Sequence, residues 1–163
     1  MRLVFSTRLL LLNEKSSLFK LFLSDVGLLT TIYGKATKLK IVTNSQDINK
    51  GAIYENVVVQ ELYAHGYRVY YYNSKKMGEL DFVIEHDGEI LPIEVKSGKD
   101  YEKHSALNNV LGVKEYDIAE ACVFTNENLK SDGKITYYPI YMIMFLQEDN
   151  VDFIDISIDR FQL

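Results

Sequence analysis

The sequence predicts an α/β fold, a central mixed β-sheet flanked by helices, and three observations carry that expectation. A helical stretch, Asn49–His65, ends at Gly66, a residue that stops helices readily. Two alternating strands, Glu79–Glu85 and Glu89–Ser97, flank Asp87-Gly88, a dipeptide strongly favoured in two-residue hairpin turns. A second helical stretch, Tyr101–Tyr116, carries Leu107, Val110 and Leu111 at helical spacing and precedes the apolar strand Ala121–Thr125. With the tyrosine- and valine-rich strand Tyr67–Asn73 in between, the order is α-β-β-β-α-β. Such an order packs as helices against one sheet.

The flanks read less sharply. Arg2–Leu12 is apolar without a clean period, and Asn13–Ser17 has turn composition. Lys20–Leu23 suits a short strand, and Asp25 is placed to cap a helix reaching about Tyr33. Gly34–Asp47 is polar and reads as a loop. Late in the chain, Ile135–Tyr138 reads as a strand, and Pro139 suits the opening of a helix through about Leu146.

Composition narrows the functional classes. A chain of 163 residues, 47% hydrophobic and 25% charged, suits one globular domain. The longest apolar run, Tyr141–Leu146, is far shorter than the roughly 20 residues of a membrane span, so no membrane role is expected. Cys122 is the sole cysteine, which rules out an internal disulfide. His65, His86 and His104 have no His or Cys partner at ligand spacing, which argues against zinc. With no signal-peptide cleavage pattern, a cytoplasmic protein is expected. The net charge of -5 argues against a phosphate-binding surface, but it is uneven: residues 1–40 carry +5 and the remainder -10.

The hairpin concentrates the chemistry. A two-residue turn at Asp87-Gly88 sets Asp81 opposite Glu94 and Glu79 opposite Lys96. Side chains alternate along strands, so Asp81, Glu94 and Lys96 share one face while Phe82, Ile84, Leu91, Ile93 and Val95 form the core face. Two facing carboxylates repel by roughly 3 kcal/mol at about 5 Å and an effective dielectric near 20. A cation must offset that, either Lys96 or a bound metal, and open carboxylate oxygens suit Mg²⁺ or Mn²⁺. A solvated sheet face with a Glu79–Lys96 ion pair accounts for the same residues. Glu55 tips the balance, because it lies within about 60° of Val58, Val59 and Leu62 on a helical wheel. A carboxylate in an apolar stripe is costly unless paired or on a metal. Ser97 beside Lys96 does not make a Ser–Lys dyad, since neighbouring strand residues face opposite ways.

Glu55 on a helix, Asp81 in Gly-Glu-Leu-Asp-Phe, and Glu94-Val95-Lys96 together resemble the PD-(D/E)XK nuclease superfamily. Leu80 stands where the pattern usually has proline. A narrower likeness covers Lys20–Leu29 (KLFLSDVGLL), Gly51–Leu62 (GAIYENVVVQEL), Gly78–Glu85 (GELDFVIE), Pro92–Gly98 (PIEVKSG) and Pro139–Tyr141. These resemble the C-terminal domain of unknown function attached to a prokaryotic family of AAA-type ATPases. No GxxxxGK[ST] motif is present, so the ATPase expected in cis is missing and the chain reads as a truncation or an excised domain. The resemblance implies a restriction-endonuclease-like core over residues 49–163. Residues 1–48 would be the remnant of the region following the ATPase and winged-helix parts.

The same resemblance implies Mg²⁺- or Mn²⁺-dependent hydrolysis of a phosphodiester, with DNA the expected partner. Asp81, Glu94 and the Val95 carbonyl would hold a metal, Glu55 a second metal or its water, and Lys96 would orient water or stabilise charge. Lys75, Lys76, Lys99, Lys103 and His104 are candidate phosphate contacts, although each such residue is more often simply a solvated charge. Nucleases that cut both strands often pair their sites, so a homodimer is one arrangement the reading allows. Two alternatives stand beside it: an inert nuclease-fold module for DNA docking or protein interaction in an ATPase, and a module whose strand Tyr67–Tyr72 pairs with another protein.

Overall fold

The structure, a computed structural model, describes residues 2–4, 14–43, 45 and 50–148, with side chains from residue 19 onward. The strands are β1 (Arg2–Val4), β2 (Glu14–Phe19), β3 (Tyr70–Ser74), β4 (Gly78–His86), β5 (Glu89–Lys96), β6 (Ala121–Thr125), β7 (Lys130–Asp132) and β8 (Ile135–Pro139). The α-helices are α1 (Val26–Ile32), α2 (Lys35–Val42), α3 (Gly51–Ala64) and α4 (Ser105–Leu111). One sheet runs β2-β1-β3-β4-β5-β6-β8-β7. It is mixed: β3-β4-β5 pair antiparallel, whereas β5-β6 and β6-β8 pair in parallel.

Each face of the sheet carries a core, as the α/β expectation requires. On one face α3 sets Val58, Val59 and Leu62 on Phe82, Ile84, Leu91, Ile93 and Val95. On the other, α4 sets Leu107 and Val110 on Tyr70, Tyr72, Leu80, Val83 and Val123. Asp87 (φ +49°) and Gly88 (φ +81°) both adopt the left-handed backbone, as a type I′ turn demands. Pairing then runs from His86↔Glu89 to Phe82↔Ile93, the register expected from the turn. At the other end of β4, Gly78 (φ +98°) lies so near α4 that an added Cβ would stand 2.9 Å from the Ala106 Cβ.

Several local expectations give way. The segment Lys35–Val42, expected as part of a loop, is α2; its Lys, Ala and Leu residues are good helix formers, and none is buried. Residues 14–17, expected in a turn, open β2. Lys20–Leu23 is not a strand, for a reason that belongs to the site below. The stretch Tyr101–Tyr116 holds only the short α4 and, beyond Gly112, a 3₁₀ turn at Lys114–Tyr116. Pro139 opens a 3₁₀ segment, Ile140–Phe145, in place of an α-helix. The expected turn residue Asn13, most of the apolar stretch 2–12 and the helix start at Asn49 lie outside the described residues. Tyr67, Tyr70, Tyr71 and Tyr72 are buried, and β3 is paired on both edges. That strand is therefore core and is not open for pairing with another protein.

Candidate active site: an acidic bulge between two lysines

The site begins with a slip in β4. The β3–β4 register passes from Tyr70↔Val83 to Tyr72↔Leu80, so Asp81 and Phe82 together face Tyr71. This is a β-bulge, a device that re-aims a side chain out of the regular pleat. Its effect is visible in the core: Leu80 and Val83, three positions apart, both pack on the α4 side, which strict alternation forbids. The β4–β5 ladder likewise ends at Phe82↔Ile93. Beyond it the Val95 N–H donates to Asp81 Oδ2 at 2.9 Å. Asp81 thus leaves the simple alternation expected of it, and its carboxylate replaces a main-chain acceptor. A strand residue's N–H and C=O leave on the same edge, so the Val95 carbonyl also faces β4.

Glu94 is 3% exposed. Burial, and then the Asp81 charge, push its pKa up to about 7 against the pull of Lys96. Lys96 Nζ lies 2.9 Å from Glu94 Oε2. Burial alone would lower the Lys96 pKa, but Glu94, with Asp81 and Glu55 behind it, raises it. On α3, Glu55 is half-buried and its pKa is raised, first by burial and then by Asp81 and Glu79, with Lys20 and Lys96 opposing. Glu55 therefore stands in the field of Asp81 and of both lysines. The Glu79–Lys96 pair that a plain solvated face would form is not made. Glu79 pairs with Lys20 and accepts from Asn73 Nδ2 at 2.8 Å.

Lys20 is the residue that sequence reasoning missed. Its Nζ lies 5.1 Å over the Tyr71 ring, beside the bulge. The segment carrying it is fastened to α3 by side chains. Asn56, 2% exposed, accepts from the Leu23 N–H at 3.0 Å and donates to the Leu23 carbonyl at 3.1 Å. Gln60 accepts from the Val26 N–H at 2.8 Å, and Asp25 caps α1 by accepting from Leu28 N–H at 2.9 Å. Leu23 thus finds a ladder-like partner in one amide side chain, which is why no strand forms there. The signal was present in the sequence as Asn56 and Gln60, one helical turn apart on the polar side of α3. Between this segment and α3 lies a cleft of about 620 Å³, walled by Lys20, Leu21, Leu23, Leu29, Ala52 and Glu55. Asp81 and Glu94 do not line it.

Among the described residues, no group of three His, Cys, Asp or Glu side chains is arranged to hold a metal ion. What stands together is a carboxyl pair, Asp81 and Glu94, with the Val95 carbonyl edge beside it. One oxygen of Asp81 is spent on Val95 N–H and one of Glu94 on Lys96. This oxygen-only set, under like-charge pressure, fits the hard cations Mg²⁺ and Mn²⁺.

Residues 50–143, more than half of the chain, match DUF4143, a domain of unknown function. The chain belongs to that family. No curated protein and no solved structure matches it. The DUF4143 match runs from α3 to the 3₁₀ segment and so contains Glu55, Asp81, Glu94 and Lys96, whereas Lys20 lies ahead of it.

The candidate phosphate contacts are scattered. Lys75 and Lys76 are exposed on the tight turn between β3 and β4, and Lys99 is exposed just past β5. Lys103 is exposed and paired with Asp100 at 2.8 Å. His104 departs from its expected role: it is 6% exposed, and its Nε2 bonds the Tyr137 hydroxyl at 2.7 Å, so it faces the core and not a ligand. The other histidines are likewise engaged, His65 with the Leu146 carbonyl and His86 with the Tyr67 hydroxyl. Burial pushes the Cys122 thiol up to about 12, as an inert core side chain requires. Among the described residues, no helix is long and apolar enough to cross a membrane.

Proposed function

We propose that this chain is a Mg²⁺- or Mn²⁺-dependent nuclease of the PD-(D/E)XK type, hydrolysing a phosphodiester in DNA on a restriction-endonuclease-like core. The observation that carries the reading is the Asp81–Glu94 pair at the β4 bulge, with Lys96 on Glu94 and Glu55 in the Asp81 field. Asp81, Glu94 and the Val95 carbonyl would hold the cation, with Glu55 taking a second ion or its water. The cation supplies polarisation of the phosphoryl oxygen and activation of water. Lys96 places a positive charge where the attacked phosphate gathers negative charge, and it can orient the attacking water. An ATPase part in cis fits the family resemblance and would govern where the site is delivered.

The test is incubation of plasmid and oligonucleotide DNA with the chain in Mg²⁺ and in Mn²⁺. Native protein should cleave, and Asp81→Ala and Glu94→Ala should not. Intact DNA with the native chain, or equal cleavage by both variants, would sink the proposal.

A second reading has one observation in its favour. With no three-residue cage among the described residues and Lys96 already on Glu94, the fold can serve as an inert docking module for DNA or for an ATPase. Titration calorimetry separates the two, because an inert module takes up no Mn²⁺.

A further inference from the structure

We infer that the cleft between residues 20–23 and the first turns of α3 is a nucleotide subsite, in which Lys20 receives a phosphate and the apolar wall receives the adjoining base. The inference rests on the nuclease reading above and adds to it a place where the strand lies.

The cleft has the composition such a ligand needs. One charged residue on its rim, Lys20, is a cation; the other, Glu55, belongs to the acidic cluster itself. Leu21, Phe22, Leu23, Leu29 and Ala52 supply the apolar lining, the amide of Asn56 is the remaining polar group, and Leu21 is 85% exposed. The cleft thus sets an exposed leucine beside a lysine at its mouth. It suits a ligand with a flat apolar part and an anionic part, the two ends of a nucleotide.

Lys20 is also positioned rather than loose. Tyr71 underlies its ammonium, and Asn56 and Gln60 fasten its segment to the helix that carries Glu55. Glu79 holds the ammonium in the described state. That pair is partly exposed, and exposed ion pairs are worth little, so a phosphate can exchange with the Glu79 carboxylate at small cost. Lys20 and Lys96 both act on the Glu55 charge, so both ammonium groups belong to the surroundings of this one helix residue. In this proposal a strand whose scissile phosphate meets Lys96 runs on toward Lys20.

The experiment is fluorescence anisotropy with a labelled twelve-nucleotide oligo-dT, the full chain, and Ca²⁺ present to permit binding without turnover. Lys20→Gln should weaken binding about threefold to tenfold and lower the salt slope by roughly one phosphate contact, and Lys20→Arg should restore most of both. Ala52→Phe, which fills the cleft from an exposed helix position, should weaken binding at least threefold. Glu79→Gln, which frees Lys20, should tighten it. Thermal unfolding of each variant confirms that it is folded. Native binding with Lys20→Gln and Ala52→Phe unchanged overturns this subsite and leaves the nuclease reading standing. Absence of binding by the native chain overturns both.

Discussion

Glu94 carries the pH dependence at the residue scale. Its folded pKa, about 7, lies above the ordinary glutamate value of 4.5 that it regains on unfolding. Between those two values the folded state holds a proton that the unfolded state has lost. Stability therefore falls as pH rises through that window and levels off above it, by an amount on the order of 3 kcal/mol. Glu55, also raised, acts in the same direction. Thermal unfolding followed by circular dichroism from pH 4.5 to 8 should show this decline. Glu94→Gln should flatten the profile and unfold at a higher temperature than native protein at pH 8. Under the proposed reading, the same repulsion is what a bound divalent ion would relieve. Millimolar Mn²⁺ at pH 8 should raise the native melting temperature by a few degrees and leave Glu94→Gln unmoved; equal shifts in both would place the ion elsewhere. That Glu94 and Lys96 lie together was legible because they alternate on one strand, whereas Asp81 reaches them through a bulge beyond the end of the register that the turn fixes. Lys20 was not legible, since its partners Glu79 and Tyr71 lie far along the chain and no local pattern joins them.

At the scale of elements, the site depends on two joints. One is the bulge in β4, where Asp81 replaces a ladder acceptor for Val95 N–H. Asp81→Asn keeps an acceptor oxygen and removes a charge from Glu94, so it should equal or exceed native stability at pH 8. Asp81→Leu strands the N–H and should cost about 1–3 kcal/mol relative to Asp81→Asn in urea titrations. The other joint is Asn56, whose buried amide holds both polar groups of Leu23. Asn56→Ala should destabilise by about 2 kcal/mol and speed hydrogen exchange at the Leu23 amide, with little change at Ile93 in the central sheet. The hairpin is legible because its signal is local: an Asp-Gly pair that accepts the two positive φ angles the turn needs. The bulge is not, because it depends on a β3–β4 register that no turn residue announces. Asn56 and Gln60 of α3 bind the backbone of Leu23 and Val26, partners far along the chain that helical spacing does not announce.

Over the whole molecule, charge decides how DNA could be held. The chain carries -5 overall, and the site gathers Glu55, Glu79, Asp81 and Glu94 against Lys20 and Lys96. The sequence showed this deficit, but not that its acids would collect around the β4 bulge, since that depends on strand order. A phosphate backbone approaching such a site meets more acid than base unless a divalent ion intervenes. Ordinary DNA-binding domains draw affinity from a basic surface and bind in chelator; under the proposed nuclease reading the cation would come from solution. Oligo-dT should therefore bind at least tenfold more tightly in millimolar Ca²⁺ than in EDTA at equal ionic strength, measured by anisotropy. Glu94→Gln should narrow that gap, because it removes both a ligand and a repulsive charge. Equal affinity in Ca²⁺ and EDTA would move the nucleic acid to a surface independent of the acids, for which the exposed Lys75-Lys76 turn is the natural candidate. Lys75→Gln with Lys76→Gln would then abolish binding, an effect the acidic site predicts to be small.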